Sequence, residues 1–222
     1  ALEGGAPEEI RVGTAVAAAL SRPLLKMLAG SGGGLASSVK DGVLTLAPDS
    51  GVDAASLRSL VAYMYTGQLK LSEDTAWAVL SASNFLELDA AKGMVQRFMI
   101  ERLSAENALG VALAAGRFAS AELEAEARRF VAGHFVEVAA QADFLALPKD
   151  EVRGLVKLDS LRVPSEMAVL VALTRWVDHA EAAGEERETA FGEMFADAEA
   201  VRLPRLSAEE LEAMHASPRA GH

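Results

Sequence analysis

Apolar positions along the chain fall into two regimes: helical stretches around one short alternating run up to about residue 103, and almost unbroken helical spacing after it. Val16, Leu20, Leu24, Met27 and Leu28 recur at helical intervals, but Pro23 cannot continue an established helix, so a break is expected near Arg22. The glycine-rich run Gly30 to Gly34 stops that segment, and Val43-Leu44-Thr45-Leu46 reads as a short strand closed by Pro48 to Gly51. From about Asp53 to Tyr65, Leu57, Leu60, Val61 and Met64 share one helical face. Gly67 lies just past that helix, where a left-handed cap suits glycine. Ser72 is placed to cap the next helix, with Glu73 and Asp74 at the positive end of its dipole. Ala76, Val79, Leu80, Ser83 and Leu86 then face one way. Asp89 is placed to cap a helix carrying Val95, Phe98, Met99 and Leu103, and Ser104 to cap one more.

The rest of the chain reads as helix after helix. Leu123, Ala127, Phe130, Val131, His134 and Val138 make one stripe. Pro148 suits a first helical turn, and Ser165 is the expected cap of a helix apolar on more than one side, with Met167, Val169, Leu170, Val171, Leu173, Trp176 and Val177. Such a helix belongs in the middle of a core. Strand signals confined to the first third and helical signals elsewhere predict a mainly α protein, an α+β part followed by an all-helical part, with the boundary near Leu103–Ala105. Ala1–Glu9 is small and polar, so its start is expected to be disordered, as is a tail over 216–222.

Composition narrows the function. The formal net charge is −11, the reverse of a nucleic-acid binder's basic surface. Nucleic acid and anionic membrane are therefore poor partners, and a basic protein surface is a better match. No apolar run approaches the roughly 20 residues of a membrane span, and no signal peptide is visible. There are no cysteines, which excludes disulfides, thiolate metal sites and a cysteine nucleophile and fits a reducing, cytoplasmic setting.

The residues that could carry chemistry are better explained by structure. Gly30–Gly34 lacks the following Gly-Lys-Ser/Thr of a phosphate loop. His134 has no carboxylate or second histidine four residues away, so a core or helix-packing role is expected. His179 lies near a helix end, and His215 and His222 in the tail. Four scattered histidines do not make a metal site. No serine sits in a Gly-x-Ser-x-Gly elbow. Glu122, Glu124 and Glu126 alternate with Leu and Ala as on a solvated helix face. Trp77 and Trp176 are expected to be partly buried, with Trp77 the candidate interface anchor. No catalytic residue and no cofactor is expected.

The run from Leu60 to Asp89 contains Tyr63, Tyr65, Thr66 and Gly67, then Leu69-Lys70-Leu71, then a Ser-Asn-Phe-Leu-Glu-Leu-Asp exit. It resembles the BTB (POZ) domain of kelch-like proteins. Further on, six phrases are similar in order and spacing to the BACK domain and the helix pair before it. They are Ser104 to Gly110, His134-Phe-Val-Glu-Val138 with Phe144 to Leu147, Asp159 to Glu166, Arg175 to His179, and Val201-Arg-Leu-Pro204. The resemblance implies a BTB/POZ-like domain over 1–103, a linking helix pair and BACK domain over 104–215, and a tail. The N-terminal part departs from the pattern: Val16 to Ser21 resembles the first core helix, but the family's entry histidine falls on about Gly13, and no strand hairpin precedes it.

What the resemblance implies is a non-enzymatic adaptor: the substrate-recognition subunit of a cullin–RING ubiquitin ligase, binding a cullin scaffold and a protein substrate and forming a homodimer. In cullin-binding members a hydrophobic–any–Glu motif lies in the loop after the helix ending near Leu28. Its nearest match is Leu35-Ala36-Ser37, with Leu35 as the hydrophobic member and Ser37 in place of the carboxylate. A kelch propeller, if the chain is a fragment, is expected after His222, and the BTB hairpin before Ala1. The alternative is a BTB–BACK scaffold acting by self-association without cullin binding.

Overall fold

The computed structural model describes residues 9–29, 36–40, 43–46, 50–179, 189 and 191–194. Two compact units divide the chain, one built from residues 1–102 and 115–123, the other from 103–114 and 124–222. The expected mainly α architecture is what is found: eleven helices and one two-stranded antiparallel sheet among the described residues.

The first unit opens with α1 (Thr14–Leu20) and α2 (Arg22–Leu28), split at Ser21. Pro23 is tolerated at the second position of α2 because amides in a first helical turn have no intrahelical acceptor. Ser21 makes the break stable. Its hydroxyl oxygen accepts from the Leu24 amide at 3.2 Å and the same hydroxyl donates to the Leu86 carbonyl at 2.7 Å. The expected lone strand is β2 (Val43–Leu46), and its partner, unpredicted, is β1 (Ala36–Lys40). Ala-Ser-Ser-Val-Lys carries almost no apolar alternation, so β1 is recruited by pairing rather than by its own pattern.

Helices α3 (Ala54–Thr66), α4 (Glu73–Phe85) and α5 (Asp89–Ile100) pack in succession, α3 on α4 and α4 on α5, with α1 also against α3. Asp53 caps α3 by accepting from the Ser56 amide at 2.7 Å. Gly67 ends it in the left-handed region at φ 68°. A Cβ there would meet nothing, so Gly67→Ala tests backbone strain alone. It is expected to lower stability by about 1 kcal/mol, read from the shift in denaturation midpoint. Ser72 caps α4 through a reciprocal box with Thr75. The predicted α4 face is the buried one: Ala76, Val79, Leu80, Ser83 and Leu86. Asp89 is the first residue of α5 rather than its cap, because Glu87 turns the chain in a left-handed conformation (φ 51°) and Leu88 takes the cap position.

In the second unit Ser104 opens a hydrogen-bonded turn that leads into helix α6 (Ala108–Ala115): its carbonyl accepts the Ala108 amide at 2.9 Å, and its amide donates to the Asn107 side chain at 2.9 Å. Next come α7 (Ala121–Gly133), α8 (Phe135–Ala139), α9 (Ala142–Leu145), α10 (Lys149–Val156) and α11 (Glu166–Asp178). Pro148 stands just before α10, at its cap. As expected of its apolar content, α11 is central: Val169, Leu170, Ala172, Leu173, Trp176 and Val177 are buried in one cluster with Phe135, Phe144, Val152 and Leu155. Phe135 and Phe144 meet edge-on at 5.8 Å.

Candidate partner-binding surface

Trp77 lies in the second turn of α4. The buried Ala76, Val79 and Leu80 face the core, which leaves the indole half-buried at the rim of the first unit. There it packs on Phe118, ring centroids 4.9 Å apart and tilted by 32°. Phe118 belongs to a 3-10 turn, Gly116–Phe118, that no periodicity marks. The turn is held from α5. Lys92 Nζ donates to the Ala119 carbonyl at 2.9 Å and to Asn84 Oδ1 at 2.8 Å, and Gln96 Nε2 donates to Ser120 Oγ at 2.7 Å in a buried contact. Lys92 and Gln96 are one helical turn apart, so both reach the same segment. Leu35, the other candidate contact, lies outside the described residues. For Ser37 only the backbone is described, in β1.

Other apolar side chains reach solvent in this unit. Leu20 and Leu25 are each 47% exposed on either side of the Ser21 break, and Tyr65 is 57% exposed with its phenol oxygen accepting the Gly13 amide at 2.6 Å. Gly13 is thus tied to α3 through its backbone amide.

Most titratable side chains among the described residues reach the surface, whereas Glu166, in the first turn of α11, is buried. Glu124 pairs with Arg128 at 3.0 Å and Glu126 with Arg129 at 2.7 Å along α7, Arg22 with Glu87 at 3.5 Å, and Arg153 with Glu193. Exposed pairs of this kind contribute roughly 0.2–1 kcal/mol each. His134, expected in the core or packed on a helix, is exposed rather than in the core. Helix α7 ends at Gly133, and the ring points outward, stacked on Phe130 at 4.2 Å with Nδ1 3.1 Å from the Phe130 carbonyl. The helix break rotates the chain, so Phe135 goes inward in its stead, while Val138 of the same stripe is buried as expected. Trp176, expected to be partly buried, is fully buried, its indole N–H donating to the Leu147 carbonyl at 2.8 Å. Among the described residues no group of three or more His, Asp or Glu could hold a metal ion, and no helix is long and apolar enough to cross a membrane.

Comparison with known proteins agrees with this architecture. The BTB/POZ domain family model matches residues 4–103, and the BACK (BTB And C-terminal Kelch) model matches residues 108–216. The chain is thus a BTB domain followed by a BACK domain. Human Kelch-like protein 4 is 37% identical over 129 residues, 58% of this chain and 18% of that protein. Mouse Kelch-like protein 17 is 34% identical over 128 residues, 58% of this chain and 20% of that protein. Human Kelch repeat and BTB domain-containing protein 8 is 28% identical over 156 residues, 70% of this chain and 25% of that protein. The chain belongs to the kelch-like BTB–BACK family, and it spans about a fifth of the length of the curated relatives it matches.

Proposed function

We propose that this chain is the adaptor part of a cullin–RING ubiquitin ligase, a non-enzymatic cytoplasmic protein that joins a cullin scaffold to a protein marked for ubiquitination. The observation that carries the reading is the tandem of BTB and BACK matches with kelch-like relatives, a family generally non-enzymatic and generally engaged with cullins. The carboxylate–arginine pairs along α7, in the unit that holds the apolar cluster of α8 to α11, suit binding rather than catalysis. In this reading the BTB unit supplies the cullin-facing surface and a homodimer contact, with Leu35 and Trp77 as apolar contacts, while the substrate is read elsewhere.

A second reading rests on one specific residue. Ser37 stands where cullin-binding members carry a carboxylate, so a basic group on the cullin would lose its ion pair. The chain would then act as a BTB–BACK scaffold through self-association. Titrating the whole chain with a cullin N-terminal domain separates the two. On the adaptor reading the wild-type chain binds, and Ser37→Glu tightens binding by roughly tenfold, the effect expected of one charge-assisted hydrogen bond. No binding by either form, together with concentration-dependent dimerisation in sedimentation, establishes the scaffold reading instead.

A further inference from the structure

The turn after α6 is part of the first unit although the chain on both sides of it belongs to the second: residues 103–114 and those after 123 lie in one unit, 115–123 in the other. Its flanks are anchored, since Ala115 and Leu123 are both buried. Backbone bonds close the turn on itself, Ala119 N–H to the Gly116 carbonyl at 3.3 Å and Ser120 N–H to the Ala115 carbonyl at 3.2 Å, and side chains hold it to the rest of the first unit. Lys92 reaches the Ala119 carbonyl, Gln96 reaches Ser120, and Phe118 lies on Trp77. Opposing these contacts is Ala119, which sits at φ 49° and ψ 45°, a left-handed conformation that disfavours any residue with a Cβ. Glycine would fill that position without strain.

We propose that residues 116–120 form a conformational strap that closes over Trp77, held shut by Lys92 and Gln96 and loaded toward opening by the left-handed Ala119. When closed, it occupies one side of the indole with Phe118. When open, it exposes a tryptophan, the side-chain type that most often anchors protein interfaces, and leaves the buried Gln96 amide without Ser120. This inference is independent of the cullin reading and of the identity of any partner.

Two substitutions of opposite sign test it on the intact chain. Trp176 is fully buried and Trp77 half-buried, so acrylamide quenching reports chiefly on Trp77. Lys92→Met keeps the aliphatic stem and removes the donor. It should speed exchange of the Ala119 and Ser120 amides, whose acceptors are the Gly116 and Ala115 carbonyls, by about tenfold. It should raise Trp77 quenching about twofold. Ala119→Gly should slow exchange several-fold and lower quenching. Both variants should leave exchange in α10 and α11 unchanged. The proposal is overturned if Ala119 and Ser120 exchange at the unprotected rate in the wild-type chain. It is equally overturned if Lys92→Met speeds that exchange without changing Trp77 quenching, or if Ala119→Gly acts in the same direction as Lys92→Met.

Discussion

Replacing Trp176 with alanine is expected to unfold the second unit under conditions in which the wild-type chain is folded. Trp176 is the largest fully buried side chain, and it packs in the cluster that joins α8, α9, α10 and α11. Truncating a buried tryptophan to alanine costs about 3–5 kcal/mol in lost transfer energy and residual cavity. The indole N–H also satisfies the Leu147 carbonyl at the end of the α9 segment, and a buried acceptor that loses its donor adds about 1–3 kcal/mol. The sum is comparable with the whole stability of an ordinary domain, about 5–15 kcal/mol. Trp176→Phe keeps most of the volume and removes only the donor, so it should cost about 1–3 kcal/mol. Amide exchange in α10 and α11 measures both variants. If Trp176→Ala left protection in those helices intact, the indole would not be the keystone of this core.

Ser21→Ala should destabilise the first unit by about 2–4 kcal/mol, a large value for removing one oxygen. The serine serves two buried partners at once. As an N-cap it satisfies the Leu24 amide, worth about 1 kcal/mol, and as a donor it satisfies the Leu86 carbonyl, where loss of the partner adds about 1–3 kcal/mol. Ser72 provides the comparison, because its capping box is exposed to solvent and water can replace it. Ser72→Ala should therefore cost no more than about 1 kcal/mol. Urea denaturation of the two variants, followed by the far-ultraviolet signal, measures the difference. Equal losses from the two would mean that the Ser21–Leu86 bond contributes nothing to the folded state.

These two residues also show how far local pattern reaches. Pro23 announced a break near Arg22 because proline's geometry acts on its own chain neighbours. That Ser21 would bridge to Leu86 could not be read, since the partner lies 65 residues away. The α4 face was legible because Ala76, Val79, Leu80, Ser83 and Leu86 repeat at the helical period, and the Gly67 cap because the left-handed region selects glycine. Strand β1 was not legible: its pairing energy comes from β2, not from its own side chains. His134 fell on the α7 stripe by spacing, but one irregular residue after Gly133 turned it outward. At the candidate surface, Trp77 stood out as an aromatic in a chain poor in them. Phe118 did not, because a five-residue turn has no period to carry a signal.

The sequence by itself determined the mainly helical class, the order of the helices, the buried faces of α4 and α11 and the kelch-like BTB–BACK membership. All of these are written in local periodicity, capping residues and short ordered phrases. The tertiary structure alone decided the pairing of β1 with β2 and the double duty of Ser21. It likewise placed residues 115–123 in the first unit and laid Phe118 on Trp77 beneath the grip of Lys92 and Gln96. Each of these depends on groups brought together from distant parts of the chain, where hydrogen bonds and ring contacts form only after the helices have packed.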